Sequence, residues 1–222
     1  MPDQIAQHDE DARAPKHRSS SGGGESGPKQ KRSRERAERI LTCAVEIMAE
    51  KGVDAFRMSD LAERTGIAFG SLYQYFPNRT AVLETLARRY NLIGHACVDK
   101  ELQNLRSAED IHAVLCAITD SYTRFFLDEP AVQLIWQATQ ASRQLQAMDA
   151  EDGAHLTDML YSALRAIAPE EPPQALADFA QVVMVLMAAA VRHAITLPAN
   201  DRDRFLNLFK RTLPTGPAGL GS

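Results

Sequence analysis

Gln74, in the string GSLYQYFPNR (70–79), is the side chain best suited to reading a base. Its amide donates and accepts at once, so it can pair in two-point fashion with an adenine edge, worth about 1–3 kcal/mol of discrimination. Ser71 offers a short hydroxyl to a phosphate or a base edge, and Gly70 allows a backbone to come close to DNA. Tyr75 suits a contact to the nucleic-acid backbone, and Phe76 a buried anchor. Arg79 falls in the first turn of a following helix, where its charge and the free N–H groups can clamp a phosphate. The other reading of Ser71 and Gln74 is a solvated helix face.

Such residues work only if a short helix is held out from the protein, and MSDLAERTGIAFGSLYQYFPNR (58–79) has the pattern to do it. Leu61 and Ala62 share one face of a short helix. Gly66 can take the positive φ that ends that helix, and Ile67 plugs the turn. A second short helix, about 69–75, then crosses the first over the small side chain of Ala62. This spacing fits a helix-turn-helix, about 57–76, whose second helix enters the major groove.

The stretch from Arg34 to about Leu92 resembles the DNA-binding head of the TetR family of transcriptional regulators. The residues that carry the resemblance are DLAERTGI (60–67) and GSLYQYFPNRTAVL (70–83). The resemblance implies that Tyr73 divides its role between packing and a hydroxyl-to-phosphate bond. Two positions depart from the family pattern. Arg57 stands where a capping Thr or Ser is usual before the first short helix, and Ala68 where a hydroxyl often caps the second. Ser59 could take over the first cap if the helix starts later. Phe69 occupies a position where a polar or basic base-reading residue is common; exposed, it would meet a thymine methyl, and buried, it is core. The candidate DNA-binding set is therefore Arg34, Arg57, Ser59, Phe69, Gly70, Ser71, Tyr73, Gln74, Tyr75 and Arg79.

Upstream lies a basic run, with Lys29, Lys31, Arg32, Arg34, Arg36 and Arg39 within eleven positions. It is either a solvated charge run or an arm that neutralises phosphates or enters a minor groove. Overall the 222-residue chain is acidic, with a formal net charge of −4. The total conceals a division: net −2 over residues 1–28, +4 over 29–90 and −6 over 91–222. The expected organisation is a disordered tail (1–28), a helix-turn-helix DNA-binding domain (29–90), an effector-binding and dimerisation domain (91–213) and a second flexible tail (214–222).

The hydrophobic periodicity is helical throughout, and about nine helices are expected in an all-α chain. Ile40, Leu41, Ala44, Val45 and Met48 form one stripe. Val82, Leu83, Leu86, Tyr90, Ile93 and Cys97 form another, on a long helix capped by Asn78. Further helices are expected from Ile111 to Phe126, after Pro130, over about 152–167, over 174–197, and from a cap at Asn200 to Leu213. Cys43, Cys97 and Cys116 are too far apart for a metal or redox motif and suit buried helix positions, as small hydrophobes, in a reducing cytoplasm. The longest apolar run, Val182 to Val191, has ten residues, against about 20 for a bilayer span; no membrane association is expected.

A short recognition helix reads few base pairs, so a homodimer is expected on a double-stranded DNA operator. Residues about 174–213 are the candidate interface, because Val182 to Met187 cannot all face one monomer's core. The resemblance implies a four-helix contact of this kind, and a pocket for a small-molecule effector in the middle helices. Tyr122, Phe125, Phe126, Trp136, Met159 and Met184 are its candidate lining, and the absence of a charged cluster points to a largely apolar ligand. Glu109-x-x-His112 and Asp152-x-x-His155 are spaced as in di-iron helical bundles, but both acidic pairs look like helix starts. No phosphate loop or nucleophile pattern occurs. The chain is therefore expected to be a ligand-responsive repressor with no cofactor and no metal, and not an enzyme. The alternatives are a helical metal-dependent enzyme and a scaffold that does not bind DNA.

Overall fold

The computed structural model describes residues 27–140 and 142–216. The expected tails therefore lie almost wholly outside the described residues. Among these, nine α-helices occur: α1 (Pro28–Lys51), α2 (Met58–Thr65), α3 (Phe69–Tyr75), α4 (Arg79–Leu102), α5 (Ile111–Asp128), α6 (Pro130–Gln140), α7 (Arg143–Ile167), α8 (Pro173–Ala194) and α9 (Ala199–Thr212). No strand occurs among the described residues, as the unbroken helical period requires.

The head is built from α1 to α3 and the start of α4. Ile40, Leu41, Ala44, Ile47 and Met48 on α1 close over Phe56, Leu61, Leu72, Phe76, Val82 and Leu86. Gly66 ends α2 in the left-handed region at φ 66°, a conformation that costs other residues a Cβ clash. Asn78 caps α4, its Oδ1 accepting from Ala81 N–H at 2.8 Å; this satisfies one of the orphan donors of the first turn.

The basic run is helical. It forms the first turns of α1, and Lys31, Arg32, Arg34 and Arg36 are all exposed. This corrects the arm reading in part: an α-helix about 10–12 Å across does not enter a minor groove about 6 Å wide. Phosphate contact remains open to it.

Other boundaries also move. The α2 cap is Arg57, with no side-chain cap bond, so Ser59 sits inside the first turn and does not cap. At the chain's other end Pro198 precedes α9 and Asn200 is inside the helix, not its cap. Ile93, expected in the α4 stripe, is 43% exposed; Gly94 and Val98 are buried in its place. The largest shift is in α7, which begins at Arg143 and not near 152. Gly153 gives up about 1 kcal/mol of helix propensity relative to Ala, yet the helix runs through it. Asp152 is thereby mid-helix, not at a helix start.

The body packs α4 to α9. Val98, Ile111, Leu115, Ile118, Leu160, Leu164, Leu176 and Phe179 form its main core, and Phe125, Phe126, Val132 and Val191 a smaller one beside it. The head core is not closed by residues 29–90 alone, because Ile135 and Ala138 of α6 and Leu145 and Met148 of α7 complete it. Helix α8 is long and apolar enough to cross a membrane by length and composition, which the ten-residue run understated. It packs instead against α5, α7 and α9. Its sides divide: Val183, Met184 and Met187 are buried, while Val182, Val185 and Leu186 are 56–59% exposed.

Candidate functional site

Two regions concern function: the outer face of α3 and a cavity in the body. On α3, Leu72 is fully buried and the cap residue Phe76 is nearly so, and these two fix the helix to the head. The opposite face stands clear. Phe69 is 49% and Tyr73 44% exposed, and their rings stack one turn apart with centroids 5.7 Å apart. Gln74 and Gly70 are exposed beside them, and Ser71 is half-buried. The exposed alternative for Phe69 is the one the fold adopts. A Cβ added at Gly70 would meet nothing within 4 Å, so nothing inside the chain requires glycine there.

Other predicted DNA contacts are placed less simply. Tyr75 is half-buried, and its hydroxyl lies 3.4 Å from Ser33 Oγ on α1. That contact brings the basic start of α1, with exposed Arg34, alongside the recognition helix. Ser59 is exposed on α2. Arg57 is exposed too, but its guanidinium donates to the carbonyls of Asp54 and Phe56 and closes the loop between α1 and α2. Arg79 is turned inward. Its Nη2 donates to the Val53 carbonyl at 2.7 Å, its guanidinium lies over the Phe56 ring at 6.0 Å, and its Nε is buried without a partner among the described residues. It braces the head, and the expectation of a free phosphate clamp is corrected: the guanidinium is held by the loop carbonyl and lies over the ring.

In the body, Tyr122, Phe125, Phe126 and Trp136 come together as expected, with Tyr90, Gly94 and Met148. They enclose only about 40 Å³, little more than room for water. A cavity of about 640 Å³ adjoins it between α7 and α8, and Met184 lines this larger space. Met159 lines neither; it is half-buried and faces a shallow recess beside Leu102 and His155. Tyr122, Asp149, Asp152, Leu156 and Arg192 border both spaces.

Those shared residues overturn the expectation of a pocket without charge. Arg192 Nη2 donates to Asp149 Oδ1 at 3.1 Å, and its guanidinium lies 5.2 Å from the centre of the Trp136 ring. His95 Nε2, on α4, donates to Asp152 Oδ1 at 2.6 Å, with His155 tilted against the His95 ring at 4.3 Å. The Asp152 side chain is 11% exposed. Burial pushes its carboxyl above the usual range, against the pull of the His95 bond. Burial likewise drives the Tyr122 hydroxyl far up. Trp136 Nε1 and Arg192 Nε are buried donors without partners among the described residues. Sequence reasoning missed His95, Asp149 and Arg192 altogether, and set Asp152 aside as a helix start. The available signal was the α7 stripe Leu145, Met148, Leu156, Leu160, in which Asp152 occupies an apolar position.

The two di-iron-like spacings resolve without a metal cluster among the described residues. Asp110 completes a capping box with Ser107 before α5, and His112 Nδ1 donates to the Leu213 carbonyl at 3.1 Å. The three cysteines are free, and they are half-buried where full burial was expected.

Residues 40–86 match the profile of the bacterial regulatory proteins of the tetR family, and residues 109–215 that of the tetracyclin repressor-like C-terminal domain. The chain belongs to the TetR family. It is a DNA-binding transcriptional regulator, and the family is not one of enzymes. Among curated relatives, the uncharacterized HTH-type regulator YvdT of Bacillus subtilis is 35% identical over 83 residues, 37% of this chain and 41% of that protein's length. The repressor KstR of Rhodococcus jostii is 28% identical over 151 residues, 68% of each chain. The solved complex of SmeT with triclosan shares the fold at a TM-score of 0.62 and 17% identity, covering 85% of this chain and 95% of that one.

Two outcomes follow from the geometry. Arg79→Ala should lower the unfolding free energy by about 1–3 kcal/mol, the cost of orphaning a buried acceptor, measured by urea denaturation. Asp152→Asn tests the buried carboxylate. A raised native pKa means that ionisation costs the fold, so the wild type loses stability as pH rises through that native pKa. The amide can still accept from His95, and the variant should melt at or above the wild-type temperature at pH 7.5. A clear fall would show that the charged pair stabilises the fold.

Proposed function

We propose that this TetR-family regulator is a cytoplasmic homodimeric repressor, released from a palindromic operator by a small molecule held in its body. The observation that carries the DNA-reading part is the outward face of α3, where Phe69, Gly70, Tyr73 and Gln74 stand exposed while Leu72 and Phe76 anchor the helix. Two large aromatic rings stacked in solvent have no use within the monomer. Against DNA, Phe69 meets a thymine methyl, Gln74 pairs with adenine, and the Tyr73 hydroxyl and Ser71 reach backbone oxygens. Exposed Arg34 at the start of α1 and Ser59 on α2 add contacts to phosphates. The Tyr75 hydroxyl faces the same side, next to α1.

Dimerisation rests on the apolar strip of Val182, Val185 and Leu186 on α8 with Leu208 on α9, each more than half exposed. Helix α8 packs along α9, so two copies meeting there form a four-helix contact. The functional division at about residue 90 follows: 29–90 reads DNA, and 91–213 dimerises and binds the effector. The Rhodococcus relative is a repressor and SmeT is solved with triclosan, and the cavity of about 640 Å³ has the size of a small-molecule site. Release is a change in the separation of the two recognition helices, about 34–36 Å when they match successive major grooves.

Electrophoretic retardation of DNA flanking its own gene tests this reading, and a folded dimer that retards none of it would sink it. Gln74→Ala should weaken binding by about 1–3 kcal/mol at adenine-bearing operators and relax selectivity there. Gly70→Ala should stabilise the free protein by about 0.5–1 kcal/mol and still reduce operator affinity, a split that a purely internal role could not give. Val185→Glu should shift the protein from dimer to monomer in sedimentation.

A further inference from the structure

We propose that the cavity between α7 and α8 takes a lipophilic organic cation, with Asp152 as its counter-charge; this rests on the reading of the body as an effector site. The ionisable groups lining the cavity are Asp149, Asp152, Asp158 and Arg192, three acids and one base. Arg192 is already committed, bonded to Asp149 at 3.1 Å and stacked over Trp136. Asp152 is not. Its side chain is 11% exposed, and among the described residues its one partner is His95. A carboxylate in low-dielectric surroundings attracts an incoming positive charge far more strongly than one in water. The Tyr122 ring borders the same space and offers a π-face to the cation.

The remaining walls are mainly apolar, with Val98, Ile118, Leu156, Met184 and Met187 beside the uncharged Thr157 and Gln181. A small inorganic cation would leave them unfilled, so the body of the ligand is hydrophobic. Gly153 also faces the cavity, and a Cβ there would meet nothing within 4 Å. Arg192 Nε is an unpartnered buried donor on a residue of the cavity wall. A carboxylate ligand brought to it would sit against Asp149 and Asp152, whereas a neutral oxygen satisfies it without that repulsion. Charge therefore decides against an anionic ligand. A cation on Asp152 also competes with His95 for the same carboxylate, and His95 belongs to α4, the helix that follows the recognition helix directly.

The test uses the full chain and a pair of ions of nearly equal size and opposite sign, tetraphenylphosphonium and tetraphenylborate, titrated by calorimetry. The phosphonium should bind at least about tenfold more tightly, as expected for a buried counter-charge. Asp152→Asn should erase that preference, while Glu151→Gln, which removes an exposed charge one residue away, should preserve it. Gly153→Leu, which favours the helix and fills the cavity, should abolish binding with no fall in melting temperature. Equal or tighter binding of the borate, failure of the phosphonium to bind, or an Asp152→Asn variant with unchanged preference would each overturn the proposal. Operator retardation with both ions keeps the two readings apart. If the borate alone binds and releases DNA, the cation assignment fails and the effector reading stands. An operator held unchanged by every bound ion counts against effector release itself.

Discussion

Helix α4 belongs to both cores, and the arrangement of the molecule depends on that. Its first half gives Val82, Leu83, Leu86 and Ala87 to the head, and its second half gives Val98 and Leu102 to the body. With 24 residues it is a rod of about 36 Å at 1.5 Å per residue. The Asn78 cap sets where it starts, two residues after the Phe76 anchor of the recognition helix. Any tilt of α4 in the body must therefore move α3. The head cannot respond as a separate ball on a string, because Ile135, Ala138, Leu145 and Met148 from α6 and α7 complete its core. A packed core has few arrangements of comparable energy, which favours a small number of discrete head positions over a continuum.

The middle of that rod carries the one feature a core of this kind would otherwise avoid. His95 and Asp152 meet at 2.6 Å in a mostly enclosed place, where removing charge from water costs more than a single bond returns. Next to it Arg192 and Asp149 form a second polar pair, and both pairs border the cavity. A purely structural bundle would gain by filling these positions with leucine. The His95–Asp152 pair joins α4 to α7 and the Arg192–Asp149 pair joins α8 to α7, so both contacts of α7 beside the cavity run through polar groups.

The sequence was most legible where local chemistry and the tertiary fold agree. Gly66, Asn78, and the α3 boundaries were readable because a left-handed turn, a cap and an apolar anchor each have a residue signature. Phe69 was not, since one aromatic ring suits a core or a DNA face equally well and only packing decides. The body was harder. Glu151 and Asp152 looked like a helix start, and that boundary hid nine residues of α7 (143–151), Asp149 among them. Once α7 starts at Arg143, Asp152 falls in line with Leu145, Met148 and Leu156, and its burial becomes a consequence of periodicity. Arg79 shows the opposite failure. A basic residue in a first turn invites a phosphate, but the carbonyl of Val53 and the ring of Phe56 claim it first.

The charge division gains precision from the same accounting. Much of the positive charge of the head is spent internally, with Arg64 bonded to Glu50, Arg89 to Glu38 and Lys51 near Asp60 at 3.2 Å. The Arg64 bond holds the Glu50 carboxyl below its usual range. These pairs tie α1 to α2 and α4 and contribute little field outside. What remains unpaired among the described residues is concentrated in the first turns of α1, where Lys31, Arg32, Arg34 and Arg36 are exposed. Residues 30–36 of those turns are all exposed, so burial does not explain why they are helical or basic. Held beside α3 by the contact from Ser33 to Tyr75, they put the net positive end of the molecule next to the exposed face of α3. The acidic body then lies on the far side of that field, and the separation orients the head toward a polyanion before any specific contact forms.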